Sequence, residues 1–305
     1  MFPIKVTVGP KWVNQAQFAG IFTGIEEGIF RKHGIEVTVK EFSPGISQID
    51  DLLAGRTDFA IMSAEEFLTY IDEGKKITAI GAIYQVSPYA VVSLAEKNIK
   101  SPADFKGKIL GSKAGKLEEE LIYKVLLKSV GLGNEDAQIV ELGFESTEYD
   151  DLAQNDVDVV DLYRTDQLYF FDITGVEYNI IYPEQFGINA FNDVIVTRDD
   201  SISERSDLVK HFMSALIESW EFAIANQEQA VNDTLKHVTN ESYKNYDYQL
   251  YILQQSIPLL KPDSNTVIGA MTKAKWEALY KSMLERGLIG NDVQIEKVFT
   301  VKFLE

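Results

Sequence analysis

The chain of 305 residues contains no cysteine and only three histidines, His33, His211 and His237. The absence of thiols excludes disulfides, cysteine nucleophiles, zinc–cysteine sites and iron–sulfur clusters. It does not indicate a redox compartment, because a protein without thiols is indifferent to one. The histidines have few partners nearby in sequence, so we interpret them as solvated helix and turn residues. We expect neither a metal site nor a cofactor.

Cationic residues are also scarce. There are 29 Lys and Arg residues against 47 Asp and Glu residues, which gives a net charge of −18 and a sequence pI near 4.6. Nucleic-acid binding depends on cationic groups that displace phosphate counterions, and anionic membrane surfaces attract basic segments. The charge therefore argues against both partners. With 45% hydrophobic and 25% charged residues, the composition is that of a folded globular protein.

No hydrophobic run of a membrane-spanning kind is present. The longest uncharged stretch, Ile77–Leu94, has 18 residues but contains Gln85, Ser87 and Pro88. It therefore predicts two buried strands rather than a membrane span. Residues 2–8 alternate as in a first strand, and no signal peptide is visible. Either the protein is cytoplasmic or a leader has been removed, and any membrane contact is then through a removed lipid anchor.

Strands and helices alternate along the first two thirds of the chain, which is typical of an α/β protein. Predicted helices end at Gly28, Gly55 and Gly74, since glycine adopts the left-handed conformation of a helix end without strain. The pattern restarts at residues 101–104, where Ser-Pro-Ala-Asp predicts a capped helix start. At about 150 residues per domain, the length predicts two domains. Four long helices, 206–226, 228–238, 246–259 and 273–286, and a short strand near 298–301 complete the prediction.

A weak internal repeat supports two similar α/β units. Residues 50–58 and 150–158 both begin with Asp-Asp-Leu and end with Asp, at an offset of 100 residues. Gly55 in the first segment corresponds to Asn155 in the second, and both residue types suit a left-handed turn. Each segment therefore predicts a helix, a tight turn and a strand at the same point of its unit.

The familiar catalytic motifs are missing. There is no G-x-G-x-x-G, no G-x-S-x-G and no H-E-x-x-H, and the glycines of 107–116 do not have the spacing of a phosphate loop. Aromatic, amide and acidic side chains instead follow the predicted strands, at the sheet edge where open α/β sheets bind ligands. We therefore predict a ligand site built from Trp12, Gln15, Gln17, Phe42, Ser63, Glu65, Tyr84, Ser87, Tyr89, Lys113, Tyr163, Asp166, Asn189 and Phe191.

Several short strings together resemble a known family. They lie at residues 11–20 (Lys-Trp followed by Gln-Ala-Gln-Phe-Ala-Gly), 54–59, 87–89, 105–108 and 187–189. They resemble the NMT1/THI5-like family, which includes solute-binding proteins related to binders of thiamine pyrimidine precursors, riboflavin, sulfonates and nitrate. The resemblance covers essentially the whole chain.

The resemblance implies a two-lobed, type II-like periplasmic-binding-protein fold with two crossover strands and a ligand cleft between the lobes. Lobe 1 would comprise residues 1–88 and 194–305, and lobe 2 residues 89–193. We expect the lobes to close about 88–94 and 193–197, enclosing a ligand ring between Trp12 and aromatic residues of lobe 2. The implied function is ligand delivery to an ABC importer permease, which places the protein outside the cytoplasm, as a periplasmic protein or a cell-surface lipoprotein whose leader is absent.

The family also contains an enzyme that makes the thiamine pyrimidine from pyridoxal phosphate and histidine. By resemblance, its lysine would fall at Met62, its histidine near Glu66 and its cysteine run at 187–192. This sequence lacks all three. Without the amine no Schiff base forms, so we predict that the protein is not an enzyme. A transcriptional regulator is a further alternative, but no helix-turn-helix precedes Phe2 and the net charge disfavours DNA.

The strand-end residues also indicate the ligand. Sulfonate and nitrate binders need cations, whereas these loops offer aromatic rings, amides and Glu65, with Lys113 and Arg164 as the cations we identify. This chemistry predicts a neutral or weakly basic aromatic heterocycle. We favour an aminopyrimidine thiamine precursor, since a carboxylate accepts from its exocyclic amine. Riboflavin remains the alternative.

Overall fold

A computed structural model describes residues 3–43, 45–113, 117–143, 146–187, 189–290 and 293–304, with the backbone alone at 113 and 117–121. By its contacts the chain divides into two compact units. Unit 1 comprises Met1–Val86, Phe191–Glu277 and Asn291–Glu305, and unit 2 comprises Ser87–Ala190 and Ala278–Gly290. The lobe boundaries predicted above stay a prediction.

The described residues form the following elements. The strands are β1 (Ile4–Gly9), β2 (Ile35–Val39), β3 (Phe59–Met62), β4 (Ile77–Tyr84), β5 (Tyr89–Leu94), β6 (Ile109–Lys113), β7 (Gln138–Leu142), β8 (Val159–Tyr163), β9 (Tyr178–Ile181) and β10 (Asn192–Arg198). The helices are α1 (Ala19–Glu26), α2 (Ile29–Lys32), α3 (Gln48–Leu53), α4 (Ala64–Asp72), α5 (Leu117–Ser129), α6 (Glu148–Ala153), α7 (Leu168–Thr174), α8 (Asp199–Glu204), α9 (Ser206–Ala225), α10 (Gln227–Leu235), α11 (Tyr246–Leu260) and α12 (Lys273–Glu285).

Each unit is built on a five-stranded mixed sheet. In unit 1 the strand order is β2-β1-β3-β10-β4, with β1 parallel to β2 and β3, and β10 antiparallel to β3 and β4. In unit 2 the order is β7-β6-β8-β5-β9, with β6 parallel to β7 and β8, and β5 antiparallel to β8 and β9. The two orders are the same. In each sheet the antiparallel strand is the first one formed after the chain arrives from the other unit.

The sequence repeat occupies equivalent places in the two sheets. The backbone N–H of Thr7 on β1 donates to Asp58 Oδ2 at 2.9 Å, and that of Ile109 on β6 donates to Asp158 Oδ2 at 3.1 Å. Each aspartate precedes the third strand of its sheet and ties it to the first strand. The duplicated architecture predicted from 50–58 and 150–158 is therefore present in the fold.

The turns of the repeat also agree. Gly55 has φ of 70° and Asn155 has φ of 60°, so both residues are left-handed, as predicted. Ser47 caps α3 and Thr147 caps α6 by accepting a hydrogen bond from the backbone N–H three residues on. The two segments thus share a cap, a helix and a left-handed turn.

The predicted strand near residues 298–301 is wrong. This segment forms a single parallel bridge, between Phe299 and Ala79 at the edge strand β4. The N–H of Ala79 donates to Val298 at 2.9 Å and that of Thr300 donates to Ala79 at 2.9 Å, after which the chain turns away. The segment covers the open edge of β4 without extending the sheet.

Ile77–Leu94 forms two separate strands, β4 and β5, as predicted. In the described part of the chain, no helix has both the length and the apolar character needed to cross a membrane.

Candidate functional site

An aromatic pair lies at the carboxyl ends of two neighbouring parallel strands in unit 1. Trp12 follows β1 and Phe42 follows β2, which pairs with β1 in parallel register. The centroids of their rings are 5.3 Å apart, with the ring planes inclined by 40°. Both side chains are half-buried. Ring surfaces at this sheet edge are suited to contact a flat apolar ligand.

A largely buried polar group, the Asp193 cluster, joins the segment around Trp12 to the start of β10; it consists of Lys11, Gln15, Gln17, Asn192 and Asp193. Lys11 Nζ donates to Asn192 Oδ1 at 2.7 Å and lies 3.7 Å from Asp193 Oδ1. Gln17 Nε2 lies 3.0 Å from each carboxylate oxygen of Asp193. Gln15 Nε2 donates to Gln17 Oε1 at 3.1 Å.

The sequence prediction included Gln15 and Gln17 and missed the other three members of the cluster. A signal was available: Asn192 and Asp193 open β10, whose next three residues are apolar. Two polar side chains at the start of a buried strand need partners. Asp193 also has φ of 47°, which is uncommon for a residue with a side chain.

Ser63 and Glu65 lie at the amino end of α4. Ser63 is the N-cap, and its Oγ accepts from the backbone N–H of Glu66 at 3.1 Å. Glu65, in the first turn, is only 4% exposed. The positive end of the helix dipole favours a carboxylate there. The structure gives Ser63 a capping role, and ligand contact at Glu65 stays a prediction.

Tyr84 and Phe191 are buried inside unit 1. The Tyr84 hydroxyl lies 2.6 Å from Ser256 Oγ on α11. The Phe191 ring lies 4.4 Å from Lys275 Nζ and 5.5 Å from the Trp276 ring, both on α12. These contacts come from helices distant in sequence, so the sequence could not reveal them. Both residues have packing roles, and ligand contact by either stays a prediction.

The predicted aromatic residues of unit 2 contact each other. Tyr89 on β5 and Tyr163 on β8 are register partners, and their rings meet edge to face with centroids 4.5 Å apart. Both belong to the core cluster of unit 2, and Tyr163 is 8% exposed. Their surface is largely used in packing within that core.

The remaining predicted site residues lie in unit 2. Ser87 and Asp166 are buried, and the N–H of Asp166 donates to the carbonyl of Tyr163 at 2.9 Å. Asn189 is exposed. Lys113 ends β6, and its side chain lies outside the described residues. Their role in ligand binding stays a prediction.

The described cations near these strand ends contact acidic, carbonyl or aromatic groups. Arg164 Nη1 lies 2.9 Å from Glu184 Oε1, and its Nη2 donates to the carbonyl of Ser87 at 3.2 Å. Lys11 contacts Asn192 and Asp193, and Lys275 contacts Phe191. An anionic ligand would compete with these contacts. Among the described residues, no group of three or more His, Asp or Glu is arranged to hold a metal ion.

The two α/β units share one strand order, and each sheet contains an antiparallel strand that the chain forms as it arrives from the other unit. These features define a periplasmic-binding-protein fold, as predicted. The family model described as NMT1/THI5 like matches residues 15–230. The chain therefore belongs to the NMT1/THI5-like family, in agreement with the motifs at 11–20 and beyond.

Curated relatives carry several names. A putative thiamine biosynthesis protein from Haemophilus influenzae is 25% identical over 78% of this chain and 74% of its own length. Riboflavin-binding protein RibY from Chloroflexus aurantiacus is 22% identical over 98% of this chain and 86% of its own. Formylaminopyrimidine-binding protein from Halalkalibacterium halodurans is 20% identical over 95% and 87%.

Solved structures show the same fold. The periplasmic aliphatic sulphonate binding protein SsuA from Escherichia coli matches with a TM-score of 0.73 and 16% identity, over 97% of both chains. The desulfurization enzyme DSZB matches with a TM-score of 0.65 and 14% identity, over 99% of this chain and 97% of the other. At these identities the likeness concerns the fold alone. That fold serves both binding proteins and an enzyme.

Proposed function

We propose that this chain is the solute-binding component of an ABC importer, acting outside the cytoplasm and delivering a small aromatic heterocycle to a permease. The family, the fold and two relatives named as binding proteins support this function. The observation that carries the ligand class is the half-buried Trp12–Phe42 pair at the carboxyl ends of β1 and β2.

The favoured ligand is an aminopyrimidine of the thiamine-precursor type. Its flat ring suits the surface of Trp12 and Phe42, and its exocyclic amine can donate to a carboxylate such as Glu65. The described cations at the strand ends are held by other groups, which disfavours a sulfonate-like anion. A relative that aligns over 95% of this chain is named a formylaminopyrimidine-binding protein.

Riboflavin is the second candidate. The relative with that ligand in its name aligns over 98% of this chain. A flavin ring also offers a broad flat surface to Trp12, and it requires no cationic clamp. The two candidates differ in the group that would face Glu65. The exocyclic amine of an aminopyrimidine donates to a carboxylate, whereas the ring of a flavin presents mainly acceptors and a single N–H, its other donors being the hydroxyls of the ribityl chain.

An enzymatic function is less well supported, although the DSZB likeness shows that the fold accommodates one. The position corresponding to the lysine of the pyrimidine-forming branch is Met62, which is buried in β3. A thioether cannot form a Schiff base. The chain also has no cysteine for the thiol chemistry of that branch.

Isothermal titration calorimetry with the thiamine aminopyrimidine and with riboflavin tests the proposal directly. Native mass spectrometry and a visible absorption spectrum of the freshly purified protein complement it, because a co-purified flavin would colour the protein yellow. Saturable binding of one probe at one site per chain supports the function. If neither probe binds while a sulfonate does, the heterocycle assignment is wrong.

A further inference from the structure

The hydrogen bonds of the Asp193 cluster have a direction that chemistry fixes. A carboxylate only accepts, so Gln17 must turn its Nε2 toward Asp193, where it lies 3.0 Å from both oxygens. The Gln17 carbonyl then faces Gln15, which must donate through its own Nε2, at 3.1 Å. The donation therefore runs from Gln15 to Gln17 to Asp193. Asp193 thus orients the Gln17 amide directly and the Gln15 amide through Gln17.

The same carboxylate joins two distant parts of the chain. Asp193 is 1% exposed and lies 176 residues from Gln17. Asn192 Oδ1 accepts from Lys11 Nζ and from the N–H of Asp193, both at 2.7 Å. Lys11 also lies 3.7 Å from Asp193 Oδ1, so the buried negative charge has a cationic partner. The segment 11–17 is thus held at both ends to the start of β10.

We propose that Asp193 is a positioning residue for the segment 11–17, which carries Trp12. Acting through Lys11 and Gln17, its charge holds this segment in one conformation before a ligand arrives. A preorganised segment spares ligand binding the entropic cost of ordering it. The inference rests on the proposed function to the extent that Trp12 contacts a flat heterocycle.

Exchanging the carboxylate and the amide between positions 193 and 17 provides a test, because a role in packing alone predicts no recovery in the exchanged variant. In D193N, the amide can donate as well as accept, so the direction of the Gln17 amide is no longer imposed. Asparagine also tolerates a positive φ, so the backbone at this position is preserved. In the double variant Q17E/D193N, the new amide on β10 donates to the new carboxylate, which still accepts from Gln15. The net charge and the direction at Gln15 are both restored.

Asp233 provides a matched control. It is fully buried in unit 1 and also accepts from one lysine and one glutamine, Lys236 Nζ at 3.0 Å and Gln229 Nε2 at 3.1 Å. D233N therefore removes the same kind of interaction outside the Asp193 cluster.

The first measurement is hydrogen exchange of the 11–17 backbone in the ligand-free full-length protein. We expect exchange about tenfold faster in D193N, from the loss of charge-assisted hydrogen bonds, and within about threefold of wild type in Q17E/D193N. D233N should leave this segment unchanged. Circular dichroism and thermal unfolding confirm that each variant is folded.

The second measurement is calorimetric affinity for the thiamine aminopyrimidine and for riboflavin. We expect whichever probe binds wild type to bind D193N about tenfold more weakly, and the double variant to bind it more tightly than D193N does. Unchanged exchange in D193N, or a folded double variant without recovery, overturns the inference. Because exchange needs no ligand, failure of both probes to bind wild type would count against the proposed ligands and leave exchange to decide the role of Asp193.

Discussion

Units 1 and 2 share a strand order but differ at the ends of their strands. In unit 1 the aromatic side chains Trp12 and Phe42 are half-buried and keep exposed ring surface. In unit 2 the tyrosines predicted for the site, Tyr89 and Tyr163, pack edge to face within the core. Trp12 and Phe42 therefore offer more ring surface to a flat ligand than Tyr89 and Tyr163 do.

The two units also differ in what covers their sheets. In unit 1, α9 and α10 pack against α1, and α11 packs against α10. This contact is close at Gly20 on α1, where a Cβ atom would lie 2.4 Å from the Trp220 ring. Trp220 is 1% exposed and has little room to move. Unit 1 therefore depends on a helix contact that requires glycine.

The largest effect we predict is from G20A. The added methyl group overlaps the indole of Trp220, so the helices must separate, and we expect a loss of about 2 kcal/mol in the free energy of unfolding, net of the helix propensity of alanine. Urea unfolding followed by tryptophan fluorescence measures it.

The control for G20A is G290A in unit 2, where a Cβ atom meets nothing within 4 Å. We expect its unfolding midpoint to match wild type. If G20A is equally neutral, the α1–α9 contact is looser than its geometry indicates, and the contrast between the units in helix packing disappears.

The second prediction concerns the aromatic pairs. W12A removes the ring surface of unit 1, and we expect the affinity for the thiamine aminopyrimidine or riboflavin to fall by more than about tenfold. Y163F keeps the packed ring of unit 2 and removes only a hydroxyl, so the affinity should stay within about twofold of wild type. Calorimetry measures both. Equal losses would show that the two units contribute similarly and would break the comparison.

Much of this architecture could be predicted from sequence because it depends on local signals. Gly55 and Asn155 mark left-handed turns, and the aspartates at 58 and 158 mark equivalent strand starts. The uncharged Ile77–Leu94 stretch could be divided into two strands by its polar residues and proline. The prediction of a strand near 298–301 is wrong because this segment, although its composition is typical of a strand, forms a single bridge to Ala79. Edge contacts of that kind leave no periodic pattern.

The candidate site was less predictable, because its partners are distant in the chain. Nothing local to Gln17 indicates that it meets Asp193, 176 residues later. The sequence places Tyr84 at the end of a strand, yet its hydroxyl is held by Ser256 on α11. Sequence position identifies which residues reach a sheet edge. Tertiary packing determines which of these residues keep side-chain surface exposed for ligand contact.

The third prediction distinguishes the two ligands through Glu65. E65Q preserves the shape of the side chain but removes the charge that an exocyclic amine would donate to. We expect about fivefold weaker binding of the thiamine aminopyrimidine and a change within about twofold for riboflavin. Calorimetry with both probes measures the ratio.

The matched control for E65Q is E66Q on the same helical turn, where Glu66 accepts from the Tyr70 hydroxyl at 3.0 Å. We expect E66Q to affect both probes little. Equal losses for both probes in E65Q would assign Glu65 a structural role in unit 1.

The smallest effect tests the similarity between the units. Asp58 and Asp158 each accept from the first strand of their sheet and pair with a cation, Arg205 at 2.7 Å and Lys97 at 3.3 Å. We expect D58N and D158N each to cost about 1 kcal/mol of unfolding free energy at pH 7, since asparagine retains an acceptor but loses the charge. Chemical denaturation of both variants measures it.

The cost of D158N should also depend on pH. Burial raises the pKa of Asp158, but the hydrogen bond from the Ile109 N–H and the nearby Lys97 ammonium outweigh it, so the pKa lies below its ordinary 3.8. A lowered pKa means that the charged form favours the folded state. Its stabilisation is fully present above the unfolded pKa and is lost as the pH falls through the folded one. The gap between wild type and D158N should therefore be constant from about pH 7 to 5 and shrink below about pH 4. A difference in stability that widens in acid would contradict this role for Asp158. If D58N leaves the free energy of unfolding unchanged, the repeated aspartate stabilises only one of the two units.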